Sequence, residues 1–143
     1  MKTETLLKVD LSTSTGLDEA GDWLKRHTKP ETLIISQNLR PTRYFTKINY
    51  LCFGGQLALL PPTKKEFEEI LSKHPGHILV MVDVWSESNP SEFSPFWREK
   101  EDEAYFRRLK FRLEKTVYRD IYSYNGSYHK SMRPVVKIFE RGI

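Results

Sequence analysis

Residues 14–36 constrain this chain more than any other stretch, because they read as a capped amphipathic helix delivered within a few residues into a short, wholly apolar strand. Thr15 is placed to cap, Asp18 follows three residues on, and Leu17, Ala20, Leu24 and His27 fall at helical spacing. Thr28, Lys29 and Pro30 stop the helix. Thr32, Leu33, Ile34, Ile35 and Ser36 then read as a strand covered on both faces, as parallel strands are. A helix that feeds a doubly covered strand is the working unit of an α/β sheet.

The remaining elements extend that unit. Pro41 opens a short helix through Arg43, Tyr44 and Phe45, Gly54-Gly55 is a turn, and residues 57–60 are a short strand. Thr63 and Glu66 form a capping box for a helix whose apolar stripe is Phe67, Ile70 and Leu71. His74-Pro75-Gly76 ends it, and residues 77–85 form the strongest strand, placed in the middle of the sheet by its nearly unbroken apolar run. Ser94-Pro95 opens the longest helix, expected over residues 95–115 with Phe106, Leu109 and Leu113 inward. Its acids (Glu99, Glu101, Asp102, Glu103) precede its bases (Arg107, Arg108, Lys110, Arg112, Lys115), which suits the helix dipole. Residues 117–124 alternate like a strand with one wet face, Asn125-Gly126 is a hairpin signal, and residues 134–140 complete an antiparallel pair after a longer loop. The expectation is a single α/β domain over residues 1–143: a three-layer Rossmann-like sandwich, mainly parallel, with an antiparallel C-terminal edge hairpin. Ile34, Ile35, Ile78, Val80 and Val82 should be nearly solvent-free.

Composition limits function more than it directs it. With 38% hydrophobic and 13% aromatic residues in 143, the chain can bury a core without metals or disulfides, and its net charge of +4 permits an anionic partner without requiring one. Cys52 is the only cysteine, which excludes an internal disulfide and a multi-cysteine zinc site. The first ten residues lack the apolar core of a signal peptide, and residues 78–85, interrupted by Asp83, are too short to span a bilayer. A fragment of a larger membrane protein would read the same way.

No phosphate-binding glycine loop, nucleophile elbow or H-E-x-x-H spacing is present, so neither a metal nor a cofactor is implied. Ser127-Tyr128-His129-Lys130 matches S-x-x-K only in letters, since its companion motifs are missing. Asp83 stands out because it lies near the carboxyl end of the best strand, where α/β sheets place ligands; a structural role for it stays open. Arg40, Arg43 and Lys47, interleaved with Tyr44, Phe45 and Tyr50, mix cations and rings as anion- and ring-binding loops do, while ordinary packing explains them equally well. With Ser86, which follows the best strand, Arg40, Arg43, Tyr44, Phe45, Tyr50 and Asp83 are the candidate ligand-binding residues, and no catalytic residue is assigned.

One pattern resembles a known family. Residues 19–28, with Trp23 and Leu24, followed by 31–36, resemble the "A-x-x-W-[IL]" segment that opens the soluble C-terminal domain of polyprenyl-phosphate-dependent membrane glycosyltransferases, relatives of the protein mannosyltransferases and aminoarabinose transferases. Thr42-Arg43-Tyr44-Phe45-Thr46 resembles their aromatic "Y-Y-[ST]-G-R", with Lys47 where a glycine is usual, and residues 135–141 resemble their closing strand. The resemblance implies a non-catalytic domain at the extracytoplasmic face of a membrane, partnered by a transmembrane portion and orienting an acceptor, a sugar or a polyprenyl-phosphate. Two rivals stay open beside it. One is a metal-dependent phosphoryl-transfer or nuclease domain around Asp83, the other a free-standing nucleic-acid or nucleotide binder, with a cytoplasmic location as the alternative.

Overall fold

Three helices and a five-stranded mixed sheet are present among residues 15–37, 56–85, 91–96 and 98–142, the parts of the chain that the computed structural model describes. In chain order they are α1 (Leu17–His27), β1 (Leu33–Ser36), β2 (Gln56–Leu59), α2 (Lys64–Ser72), β3 (Ile78–Asp83), α3 (Glu99–Arg108), β4 (Arg112–Tyr124) and β5 (Tyr128–Arg141). The strand order is β2-β1-β3-β5-β4. β1 lies parallel to β2 and β3, whereas β5 runs antiparallel to both β3 and β4. The expected mainly parallel sheet is therefore corrected to a mixed one, because the two long strands of the hairpin make half of its pairings.

Side chains on the strands alternate between two apolar clusters, as the two-residue period of a strand requires. Ile34, Leu79, Met81, Val136 and Ile138 join α1 residues Leu17, Ala20, Trp23 and Leu24 in one cluster. Leu33, Ile35, Ile78, Val80, Val82 and Phe139 join Phe67 and Leu71 of α2 and Tyr105 and Phe106 of α3 in the other. Ile34, Ile35, Ile78, Val80 and Val82 are all fully buried, in agreement with their unbroken apolar runs. At about 25 cal/mol per Å², large aliphatic side chains sealed this way are the main source of stability, and Ile35→Ala should cost about 2–5 kcal/mol.

Helix ends explain where the sequence pattern misleads. The capping box of α2 forms, with Thr63 Oγ1 accepting from the Glu66 N–H at 3.2 Å and donating to Glu66 Oε1 at 2.8 Å. At α1 the N-cap is Gly16 rather than Thr15, with φ of 77°. An added Cβ there would lie 2.8 Å from Val117 Cγ1 and 2.9 Å from Val135 Cγ2, so only glycine lets this helix start against the hairpin. α3 stops at Arg108, short of the expected residue 115. Lys110 adopts φ of 72°, its N–H donates to the Arg107 carbonyl at 2.9 Å, and the Phe111 N–H donates to the Phe106 carbonyl at 2.9 Å. This is a Schellman ending, sealed by edge-to-face packing of Phe106 on Phe111 with ring centroids 5.8 Å apart. Arg112, Leu113 and Lys115 consequently lie on β4, and Leu113 is 41% exposed instead of inward.

Candidate functional site

The chain diverges between β1 and β3. From β1 it next enters the sheet at β2 on one side, and from β3 it continues through α3 to β4 and β5 on the other. Open α/β sheets receive ligands at the carboxyl ends of strands at such a divergence. Asp83, the last residue of β3, sits there completely buried. Register places Ser36 opposite Met81 and Asp83 opposite Val136, so both side chains fall on the sheet face that α1 covers. Gln37 Oε1 accepts the Asp83 backbone N–H at 3.0 Å, which fixes the edge of β1 against that of β3. Trp85, 46% exposed, donates its indole N–H to the Thr15 carbonyl at 3.0 Å and so brings the start of α1 to the same edge. Of the candidate residues read from the sequence, Asp83 is thus positioned, while Arg40, Arg43, Tyr44, Phe45, Tyr50 and Ser86 lie outside the described residues.

At the opposite edge of the sheet three polar side chains line up in a way that sequence reading missed. Thr32 Oγ1 is 2.6 Å from His77 Nδ1, and His77 Nε2 is 2.6 Å from Glu140 Oε2. A hydroxyl, an imidazole and a carboxylate in that order form the geometry of an activated nucleophile. These groups are committed to the fold: Thr32 is 0% and His77 3% exposed, and each imidazole nitrogen already has its partner within the row. Thr32 Oγ1 also accepts the Lys29 N–H at 2.9 Å, and the line joins the ends of β1, β3 and β5 as a structural clamp. No group of three or more His, Cys, Asp or Glu side chains able to hold a metal ion occurs among the described residues.

A second missed residue is Lys137 on β5, 1% exposed. Its Nζ donates to the Pro95 carbonyl at 3.0 Å and to Glu99 Oε1 and Glu103 Oε1, each at 3.1 Å, and lies 5.2 Å from the centre of the Phe96 ring. This is the buried ammonium that ties α3 to the sheet. Charge is handled more loosely at α1, where Arg119 pairs with Asp18 at 3.3 Å and Glu19 at 3.0 Å and Lys115 reaches Glu19 at 2.6 Å. The Lys115 ammonium, helped by Arg119, holds the Glu19 carboxyl below its ordinary 4.5.

The hairpin extends well past the rest of the sheet. β5 pairs with β3 only as far as Val136 opposite Asp83, but with β4 as far as Tyr128 opposite Tyr124. The stretches 118–124 and 128–134 therefore form a two-stranded ribbon rising from the carboxyl edge by roughly 20 Å at the usual strand rise. The sequence predicts a shorter pair with a longer loop; the turn does fall at Asn125-Gly126, with Gly126 at φ of 77°, but the strands run from it at once, β4 ending at Tyr124 and β5 starting at Tyr128. Among the described residues no helix is long and apolar enough to cross a membrane.

Comparison with known proteins corrects the family resemblance. No protein-family model matches the sequence, and no curated protein matches it. Among solved structures, the crystal structure of protein-(glutamine-N5) methyltransferase (release factor-specific) from Alicyclobacillus acidocaldarius subsp. acidocaldarius DSM 446 aligns over 93% of this chain and 93% of that chain, at 14% identity and a TM-score of 0.40. That structure is a methyltransferase and not a polyprenyl-phosphate glycosyltransferase domain; the comparisons support neither the resemblance, nor the extracytoplasmic glycosyltransferase function, nor the two rival functions built on Asp83 and the basic loop, and these readings are withdrawn. The residues that carried the resemblance have simpler explanations. Trp23 stacks on His27 with centroids 3.8 Å apart over the α1 cluster, and Val135, Val136, Ile138 and Phe139 are core side chains of β5. At that identity and TM-score no activity passes from the methyltransferase to this chain.

Proposed function

We propose that the chain is a three-layer, Rossmann-like α/β sandwich that binds a small polar ligand at the carboxyl edge of β1 and β3. The observation that carries this reading is the wholly buried Asp83 at the strand end where the chain diverges, its backbone braced by Gln37. The assignment of α1 residues to one apolar cluster and of α2 and α3 residues to the other supports the three layers. A carboxylate accepts hydrogen bonds and offers none, so the matching ligand carries an ammonium or hydroxyl group. Arg40 and Arg43, which follow β1 in sequence, supply the complementary preference for an anionic group, and Tyr44, Phe45 and Tyr50 a preference for an apolar or flat portion.

Phosphoethanolamine, which joins an ammonium to a phosphate, is the direct probe. Thermal unfolding with phosphoethanolamine, ethanolamine and inorganic phosphate should show a rise in Tm with the first that exceeds both fragments. Asp83→Asn and Arg43→Ala should each remove that excess. Equal shifts with inorganic phosphate alone, or an undiminished shift in Asp83→Asn, would overturn the assignment.

A further inference from the structure

The two edges of the β4–β5 ribbon are built differently. Beyond Asp83 no third strand joins the ribbon among the described residues, so β4 and β5 each turn one side of their backbone outward. Outward strand edges recruit other strands unless something interrupts them. On β5 the interruption is present: Val135 is an extra residue between the Val117–Val136 and Tyr118–Pro134 pairs, and Pro134 beside it has no N–H to donate. On β4 it is missing. The bulge between Leu113 and Lys115 lies at the start of that strand, and from Lys115 to Tyr124 it runs without an extra residue, a proline or a glycine. The cations that usually guard an edge are drawn aside, since Lys115 and Arg119 are bound to Asp18 and Glu19 of α1.

The sequence of this edge selects its occupant. Two copies of β4 can pair antiparallel about a two-fold axis, and the position of the axis fixes which residues face each other. An axis at Arg119 sets two guanidinium groups opposite each other, and one at Asp120 sets two carboxylates. An axis at Tyr118 sets Lys115 and Arg119, both held by α1, against Ile121 and Val117 of the copy. One at Tyr122 leaves only residues 120–124 to pair. At Ile121 these conflicts vanish: residues 118–124 of the two copies pair, the isoleucine meets its counterpart, and Asp120 faces Tyr122 on both sides of the axis, a carboxylate opposite a phenol able to donate to it. Asp120 and Tyr122 are exposed and share one face of the ribbon, opposite Met132 and Lys130 of β5, so the facing pairs form without moving the fold.

We infer that β4 is the contact edge of a reversible homodimer, in which two copies pair antiparallel about Ile121 and their sheets join into one. A contact of this length falls below the roughly 1,600 Å² of a standard interface, so the dimer is weak and concentration-dependent. It is independent of the ligand assignment at Asp83. Sedimentation equilibrium of the full chain from about 10 µM to about 1 mM should show a monomer–dimer equilibrium. Amide hydrogen exchange at the higher concentration should slow at alternate residues of 118–124 and stay unchanged over 128–134. Tyr122→Asp sets like charges across the axis twice while gaining Lys130 as a partner within the chain, so the dissociation constant should rise roughly tenfold or more with the Tm of the monomer kept. Adding Asp120→Lys to that variant turns both repulsions into attractions and should restore association. A monomer at every concentration, a dimer indifferent to Tyr122→Asp, a double variant that stays dissociated, or slowed exchange over 128–134 in place of 118–124 would overturn the inference.

Discussion

Lys137 offers the sharpest test of how the layers are held. Its ammonium is buried among the Pro95 carbonyl, Glu99 and Glu103 and lies over the Phe96 ring. Lys137→Ala removes three buried methylenes, worth about 2.4 kcal/mol at 0.8 kcal/mol each, together with the charge-assisted bonds. Because Glu99 is 57% and Glu103 23% exposed, the carboxylates left behind recover most of their hydration, which keeps the cost near the lower end of a broken buried pair. The expected total is about 3–4 kcal/mol. Lys137→Met keeps a stem of similar length and loses the ammonium with its hydrogen bonds, so about 1–2 kcal/mol is expected. Urea unfolding near neutral pH reads both values, and a cycle that adds Glu103→Gln should show a coupling of about 1 kcal/mol with Lys137→Met. Glu99→Gln, at the wet end, should cost less than about 0.5 kcal/mol. If Lys137→Ala and Lys137→Met were equally mild, the ammonium would not be buried between α3 and the sheet, and the placement of that helix would be wrong.

Three further perturbations probe the ends and edges of the fold. Lys110→Gly relieves an exposed residue with φ of 72°, so a gain of about 0.5–1 kcal/mol and a higher Tm are expected; a loss would mean that the turn is not left-handed. Gly16→Ala meets both a positive φ and two valine methyls, so a cost of about 2–4 kcal/mol in urea unfolding is expected, and a neutral result would remove α1 from its seat on the hairpin. Burial, reinforced by the Glu68 carboxylate that accepts its hydrogen bond at 2.9 Å, holds the Tyr105 phenol well above its ordinary 10.0. The unfolded chain then loses this proton first as pH rises, so the contribution is intact below 10.0 and lost above it. Stability measured up to about pH 11 should fall less steeply in Tyr105→Phe, and an unchanged slope would show that the phenol is not buried.

Much of the scaffold was legible because local signals agreed with tertiary burial. The run from Ile78 to Asp83 had no polar interruption before its last residue, so its central place followed, and Thr63 with Glu66 marked α2 through a bond the backbone needs anyway. The end of α3 was hidden because a lysine, Lys110, occupies the left-handed position where glycine is the usual marker. The length of the hairpin was hidden because residues 128–134 have no continuous buried face to impose an apolar alternation. Lys137 reads as a surface residue by type, and only the three-dimensional approach of Glu99 and Glu103 makes its burial tolerable. At the site, Asp83 was visible as an acid ending an apolar strand, whereas the grouping of Tyr118, Tyr122 and Met132 depends on a cross-strand register that no single segment specifies.

The central claim, a ligand site at the carboxyl edge of β1 and β3, is tested most directly by a ¹H–¹⁵N correlation spectrum of the full chain titrated with phosphoethanolamine. Saturable shifts should concentrate at Ser36, Gln37, Asp83 and Val84 and vanish in Asp83→Asn, while Thr32, His77 and Glu140 at the opposite edge stay unmoved. Shifts centred on Thr32, His77 and Glu140, or a spectrum unchanged at every residue, would contradict it.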